Sequence, residues 1–203
     1  MNQWLSTPSY IRLPDEFFNK HTIINVQNKY DDKCFKWAIT SAVYTKKSQP
    51  ERLDKKMRKD AKSFDWTGIV FPMPLDKIDT FEKTKPGYEI WVFGWKDGKV
   101  YPIRPGGDDA SKKKINLLYL KNEETSHFCW IKDIEKLCFS QAGKCKNKKH
   151  LCRRCLRFSH SNKSLDAHRE IWMNNKKVTV VVVMVVWEGG GGGKGGNKKD
   201  QKY

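Results

Sequence analysis

Cys152 and Cys155 stand two residues apart in "CRRCLRFSHSNKSLDAHREIW" (152–172), and His168 follows after a gap of twelve. Two thiolates and an imidazole at this spacing are the first three ligands of a two-Cys/two-His zinc finger. A structural zinc site takes four protein ligands. The positions four to six residues beyond His168 hold Trp172, Met173 and Asn174. His160 follows Cys155 by the four-residue gap of a zinc knuckle, so Cys152, Cys155, His160 and His168 form a hybrid ligand set. Cys145 and His150 are further candidates. Leu165 keeps the finger's core position three residues before His168, whereas Phe158 comes one residue early.

A second pair of reactive types lies upstream. Cys34 opens the stretch "CFKWAITSAVY", where Phe35, Ile39 and Ala42 recur at helical spacing. A helix N-terminus favours a thiolate, the form of cysteine that attacks carbonyls. His127 begins "HFCWIK", a strand pattern. A cysteine at a helix start facing a histidine on a sheet is the arrangement of papain-like thiol hydrolases, with Cys34 as nucleophile and His127 as general base. Asn28 or Gln27 would donate to an oxyanion, and Asp133 or Asn116 would orient the histidine. The competing reading makes Cys34 a small core residue and His127 a structural one.

The elements that must position these groups fall into two parts. "TIINVQN" (22–28) alternates like a brief strand. Residues 31–46 predict a helix capped by Asp31 or Asp32, Pro50 opens a second and strongly basic helix through about Ala61, and Asp76 caps a short one through Glu82. Four strand patterns follow at 88–95, 99–105, 115–121 and 127–132, with a turn at Asp97–Gly98, and their short connections predict antiparallel pairing. Asp133 caps a last short helix, "IEKLC". The expected fold class is α+β, with helices first and then a sheet. The expected organisation is an N-terminal arm (1–21), a papain-like domain (22–140), a basic linker (141–151), a degenerate finger (152–175) and a Val/Gly tail (176–203).

Charge names the partner class. The net charge of +17 points to an anionic partner, nucleic acid first. It concentrates in "QAGKCKNKKHLCRRCLR" (141–157), where Lys144, Lys146, Lys148, Lys149, Arg153, Arg154 and Arg157 make seven cations with no acid. These residues are the expected phosphate contacts. Six cysteines, three of them within 145–155, suit a metal site better than a disulfide scaffold, and the start lacks an apolar leader. Both features point to the cytosol or nucleus. The tail segment "VTVVVVMVVW" would span only about 15 Å as a helix, half a bilayer core, so no membrane partner is expected. It is instead β-prone low complexity, as from a translated G-rich repeat.

The segments "INVQNKYDDKCFKWAITSAVY", "FPMPLDKIDTFEK", "INLLYLKNEETSHFCWIKDIEKL" and "CRRCLRFSHSNKSLDAH" occur in this order over residues 22–177. In that order they resemble the N-terminal region of the large proteins of Maverick/Polinton-type transposons, in which a family-B DNA polymerase follows. "DDKCFKWAI" and "SHF" are also similar to the nucleophile and histidine motifs of ovarian-tumour-type deubiquitinases. The resemblance implies a papain-like domain acting on a peptide or ubiquitin-like substrate, with an appended nucleic-acid-binding zinc finger. Trp172 departs from it where such fingers close with Cys or His, and no polymerase motif follows, as in a truncated or decayed copy. Three readings stay open: a thiol hydrolase with a finger, a non-catalytic zinc-dependent nucleic-acid-binding module, and an inert fragment.

Overall fold

Tyr88–Lys96 (β2) and Lys99–Arg104 (β3) form a hairpin closed by Asp97 and Gly98, both at positive φ (50° and 76°). That combination belongs to the two-residue turn whose twist matches its strands, and glycine meets the second position without strain. The computed structural model in which this hairpin sits describes residues 8–17, 21–45, 48–139 and 150–174. Lys144, Lys146, Lys148, Lys149 and Cys145, and the tail from residue 176, lie outside the described residues.

Two more long strands, Lys113–Lys121 (β4) and Ser126–Ile131 (β5), and the short Ile23–Ile24 (β1) complete a five-stranded sheet in the order β1-β5-β4-β2-β3. The sheet is mixed, which corrects the expected all-antiparallel pairing: β2 runs parallel to β4, with Ile90 opposite Ile115 and Val92 opposite Leu117. After β3 the chain crosses the face of β2 and enters β4 on its far side. Gly106 permits the crossing. A Cβ there would stand 2.5 Å from Trp91 Nε1 and 2.7 Å from a Glu89 carboxylate oxygen. The buried Glu89 carboxylate accepts from Trp91 Nε1 at 2.6 Å and from the Asp109 amide at 2.9 Å, tying the loop to the strand beneath it.

Strand alternation sorts the core into two layers. On one face Ile90, Val92, Ile115, Leu117 and Phe128 pack against Cys34–Val43 (α1) and Ile78–Thr84 (α3). Phe35 of α1 meets Phe81 and Phe128 edge to face, at 5.2 and 5.4 Å between centroids. Lys55–Ser63 (α2) lies on this side too, with Met57 and Ala61 set against Trp37, Ile24 and Val26. On the other face Trp91, Phe93, Leu118, Cys129 and Ile131 pack against Phe17 and the helix Ile134–Cys138 (α4). Ile11 and Leu13 pack against the same cluster, so residues 8–17 of the N-terminal arm are part of the domain.

Asp133 caps α4 as expected, accepting from the Lys136 amide at 2.9 Å. The start of α1 differs. Lys33 occupies the capping position with no side-chain bond, while Asp31 accepts from the Lys33 amide at 3.0 Å and from Trp37 Nε1. The second helix begins at Lys55 and not at Pro50, because Asp54 supplies the cap to the Met57 amide. The chain is α+β. Among the described residues no helix is long and apolar enough to cross a membrane.

Candidate metal centre

Residues 150–174 fold as two short strands, His150–Leu151 (β6) and Phe158–Ser159 (β7), followed by the helix Asn162–Asn174 (α5). Between the strands the Cys152 amide donates to the Arg157 carbonyl at 2.9 Å and the Leu156 amide to the Cys152 carbonyl at 2.7 Å. This tight turn needs Leu156 at φ 58° and draws both cysteine side chains to one side. Ser161 caps α5, its hydroxyl accepting from the Ser164 amide at 3.1 Å. Leu165 then falls inward on the hairpin, and His168, three residues on, faces the cysteines.

The ligand atoms of Cys152, Cys155 and His168 lie within 4.8 Å of one another, and Cys155 Sγ is 3.2 Å from His168 Nε2. Metal bonds of about 2.0–2.3 Å hold tetrahedral ligands roughly 3.5 Å apart, so small side-chain shifts would seat an ion here. The Cys155 thiol hydrogen-bonds the Cys152 sulfur and brings the Cys152 pKa down to about 5, while Cys155 keeps the shared proton and is pushed up. A metal cation would replace that proton. The three groups fit a divalent ion of borderline softness.

His160 does not join them. It is exposed, one residue past Ser159, because alternation along β7 turns Ser159 inward and its neighbour outward. His150 pairs with Ser159 at the open end of the hairpin and also stays outside the cluster. The hybrid ligand set reduces to three residues. Trp172 lies one turn beyond His168 on the α5 backbone, and its side chain is outside the described residues.

The unit is docked on the sheet. Leu151 is buried in the same cluster as Trp91, Phe93 and Leu118. The Arg154 guanidinium sits 5.8 Å from the centre of a Trp91 ring and donates to the Gly106 carbonyl at 3.2 Å, and Arg169 pairs with Asp108 at 3.6 Å. Of the arginines expected on phosphates, Arg154 is thus held by the protein itself. Arg153 is half-buried, with its Nε lacking a hydrogen bond, and Arg157 is exposed.

The upstream cysteine and histidine have Ser9 as a common neighbour but do not form a nucleophile–base pair. Cys34 does stand at the first turn of α1, but it is buried in the layer containing Phe128. Its Sγ lies 3.9 Å from the Ser126 carbonyl oxygen. His127 precedes Phe128 in β5 and therefore projects through the opposite face, where its Nε2 lies 2.7 Å from Asn25 Oδ1 and Tyr10 packs edge-on against its ring. No hydrogen bond joins Cys34 to His127. Burial pushes the Cys34 thiol up, with nearby Ser9 and the Phe128 backbone pulling the other way, so the thiolate is disfavoured.

Nor do the supporting residues assemble an oxyanion site. Asn28 is fully buried, its amide nitrogen bonded to Ser9 and Asp31, and Gln27 is exposed with its backbone amide on the Glu51 carbonyl. Asp133 is exposed and spent on its cap, and Asn116 lies on β4 opposite Ile131. Asn25 is the partner that sequence reasoning missed. Its signal was there: it shares a strand face with Ile23 and is the first polar residue on that face.

Comparison of the chain with protein-family models, with curated proteins and with solved structures finds no match to any of them.

Proposed function

We propose that this chain is a non-catalytic, zinc-dependent nucleic-acid-binding module, serving as an accessory part of a mobile-element replication protein. One observation carries the reading: two thiols and an imidazole converge on a hairpin-plus-helix unit. Two sulfurs and a nitrogen suit zinc. The ion would cross-link the hairpin to α5, a structural task requiring no substrate access. On α5 Lys163 and Ala167 are exposed on the side opposite the buried Leu165, and Arg157 of the hairpin is exposed too. The cations of 141–157 supply the phosphate attraction, and binding follows charge more than sequence. The transposon context rests on the ordered motifs of residues 22–177.

A thiol hydrolase is the weaker reading, because it needs an activated Cys34 within reach of His127, and the two point to opposite sheet faces. The test measures fluorescence anisotropy of a labelled duplex with the zinc-loaded chain, the chelated chain and Cys155→Ser. Loss of affinity on chelation and in the variant supports the reading. Equal affinity in all three, or no binding at low salt, overturns it.

A further inference from the structure

The finger and its lead-in are not the only concentration of cations. Helix α2 reads KKMRKDAKS, and Lys55, Arg58, Lys59 and Lys62 on it are all exposed. None of the four makes a side-chain hydrogen bond or ion pair among the described residues. The two acids within residues 52–62 are engaged: Asp54 caps the helix, and Asp60 pairs with Lys56 at 2.9 Å. Positions 55, 58, 59 and 62 are three, four and seven residues apart, so the four cations form one stripe about 10 Å long. Every neighbour on that stripe repels the next, which weakens a short helix. The helix persists through its cap and through Met57 and Ala61, buried against Trp37, Ile24 and Val26. The structure thus carries a row of unneutralised cations that its own stability opposes.

Its location separates it from the finger. Trp37 belongs to α1, which packs on the face formed by Ile90, Val92 and Phe128, whereas Leu151 of the finger packs with Trp91 and Phe93. These residues alternate along β2, so α2 and the finger lie on opposite sides of the sheet. A rigid duplex seated on one surface does not reach the other. We propose that the Lys55–Arg58–Lys59–Lys62 stripe is a second phosphate-binding surface, so that one chain bridges two segments of nucleic acid. The occupant is a phosphate backbone, since about 10 Å of duplex axis, the length of the stripe, carries roughly three phosphates on each strand at an axial rise of about 3.4 Å. A membrane surface is disfavoured because the apolar side of α2, which would enter the lipid, is already buried in the protein.

The inference extends the nucleic-acid reading to a separate surface, and the two can fail independently. The zinc-loaded full chain is mixed with a bead-bound duplex and a second, fluorescent duplex of unrelated sequence. The wild-type chain is expected to retain the second duplex. Lys55→Gln/Arg58→Gln/Lys59→Gln/Lys62→Gln is expected to lose retention and at least about tenfold of its affinity, with a salt slope lowered by about 2 to 4. Glutamine keeps the helix propensity, and an unchanged thermal midpoint confirms that the variant is folded. The double variant Lys59→Gln/Lys62→Gln provides an intermediate step on the same scale. Retention and salt slope equal to wild type in the fourfold variant overturn the proposal and leave the finger's role standing. Sedimentation with phosphatidylserine vesicles, lost in that variant while duplex retention is unchanged, assigns the stripe to lipid and also overturns it. Failure of the wild-type chain to bind any duplex removes both readings.

Discussion

His127 Nε2 and Asn25 Oδ1 lie 2.7 Å apart in the interior, on the sheet face turned away from Cys34. The histidine that could have served a thiol is instead a buried tether between the β5 strand and the segment after β1. Its Nδ1 has no hydrogen bond of good geometry, and burial lowers its pKa to about 4. Asn25 in turn donates to the Ile11 carbonyl at 2.9 Å, so the pair also holds the N-terminal arm in place.

That burial sets a pH dependence. The unfolded chain takes up a proton at His127 near pH 6.5, whereas the folded chain does so only near 4. Between these values the unfolded state binds more protons. The contribution is therefore complete above pH 6.5 and is lost as pH falls toward 4, by about 3 kcal/mol at most. Urea midpoints of the wild type and His127→Gln at pH 7.5, 6, 5 and 4.5 isolate this effect from the carboxylates. The stability gap between the two should shrink as the pH drops. A gap that stays constant across the series contradicts the assignment.

Cys34 is expected to behave as a core residue. With 3% of its surface exposed and its thiol pushed up, it should react with iodoacetamide at neutral pH no faster than Cys138, and both should follow opening of the domain. In metal-free protein the Cys152–Cys155 pair, which shares one proton and so carries a thiolate at neutral pH, should label ahead of both. Mass spectrometry of timed digests gives the three rates. Preferential labelling of Cys34 in the folded chain, slowed by His127→Ala, would restore the hydrolase reading.

Gly106→Ala probes the crossover. The added methyl would have to occupy space held by the Trp91 indole and the Glu89 carboxylate, and would also disturb the carbonyl that Arg154 bonds. Overpacking of this kind costs about 1–3 kcal/mol. The thermal midpoint should fall by several degrees, with a change in Trp91 near-ultraviolet circular dichroism. At Gly87, where a Cβ meets nothing within 4 Å, the same substitution should be nearly silent. Equal effects at the two sites would contradict this account of the crossing.

How much of this was legible depended on whether local chemistry or tertiary fit decided it. The strands from Tyr88 to Ile131 and the Asp97–Gly98 turn follow from alternation and turn residues, and they fall close to where the pattern puts them. The convergence of Cys152, Cys155 and His168 follows from spacing, because a tight turn and one helix face fix it within about twenty residues. The parallel β2–β4 pairing was not legible, since it depends on a loop passing over Trp91 at Gly106. Nor was the separation of Cys34 from His127. It turns on whether β5 presents 127 or 128 to α1, and a one-residue change of register inverts it. Arg154 reads as a phosphate contact in sequence because the Trp91 ring it covers is sixty-three residues upstream.

The last prediction joins the metal to the sheet. Leu151 opens the hairpin that carries the two thiols, and it is buried among Trp91, Phe93 and Leu118. An ion that fixes the hairpin against α5 therefore also fixes that part of the sheet face, and metal bound only by the folded state stabilises the whole unit. At free zinc a hundredfold above Kd the gain is about 2.7 kcal/mol, which chelation should remove and Cys155→Ser should abolish. Trp172→Cys places a third thiol one helical turn beyond His168, where a fourth ligand belongs, and should raise zinc affinity by at least about tenfold. Competition against a chromophoric chelator measures affinity, and calorimetry of the same samples measures the linkage. A variant that binds zinc more tightly without raising the thermal midpoint would show that the finger folds apart from the sheet. Equal affinity in wild type and Trp172→Cys would place the fourth ligand elsewhere in the chain.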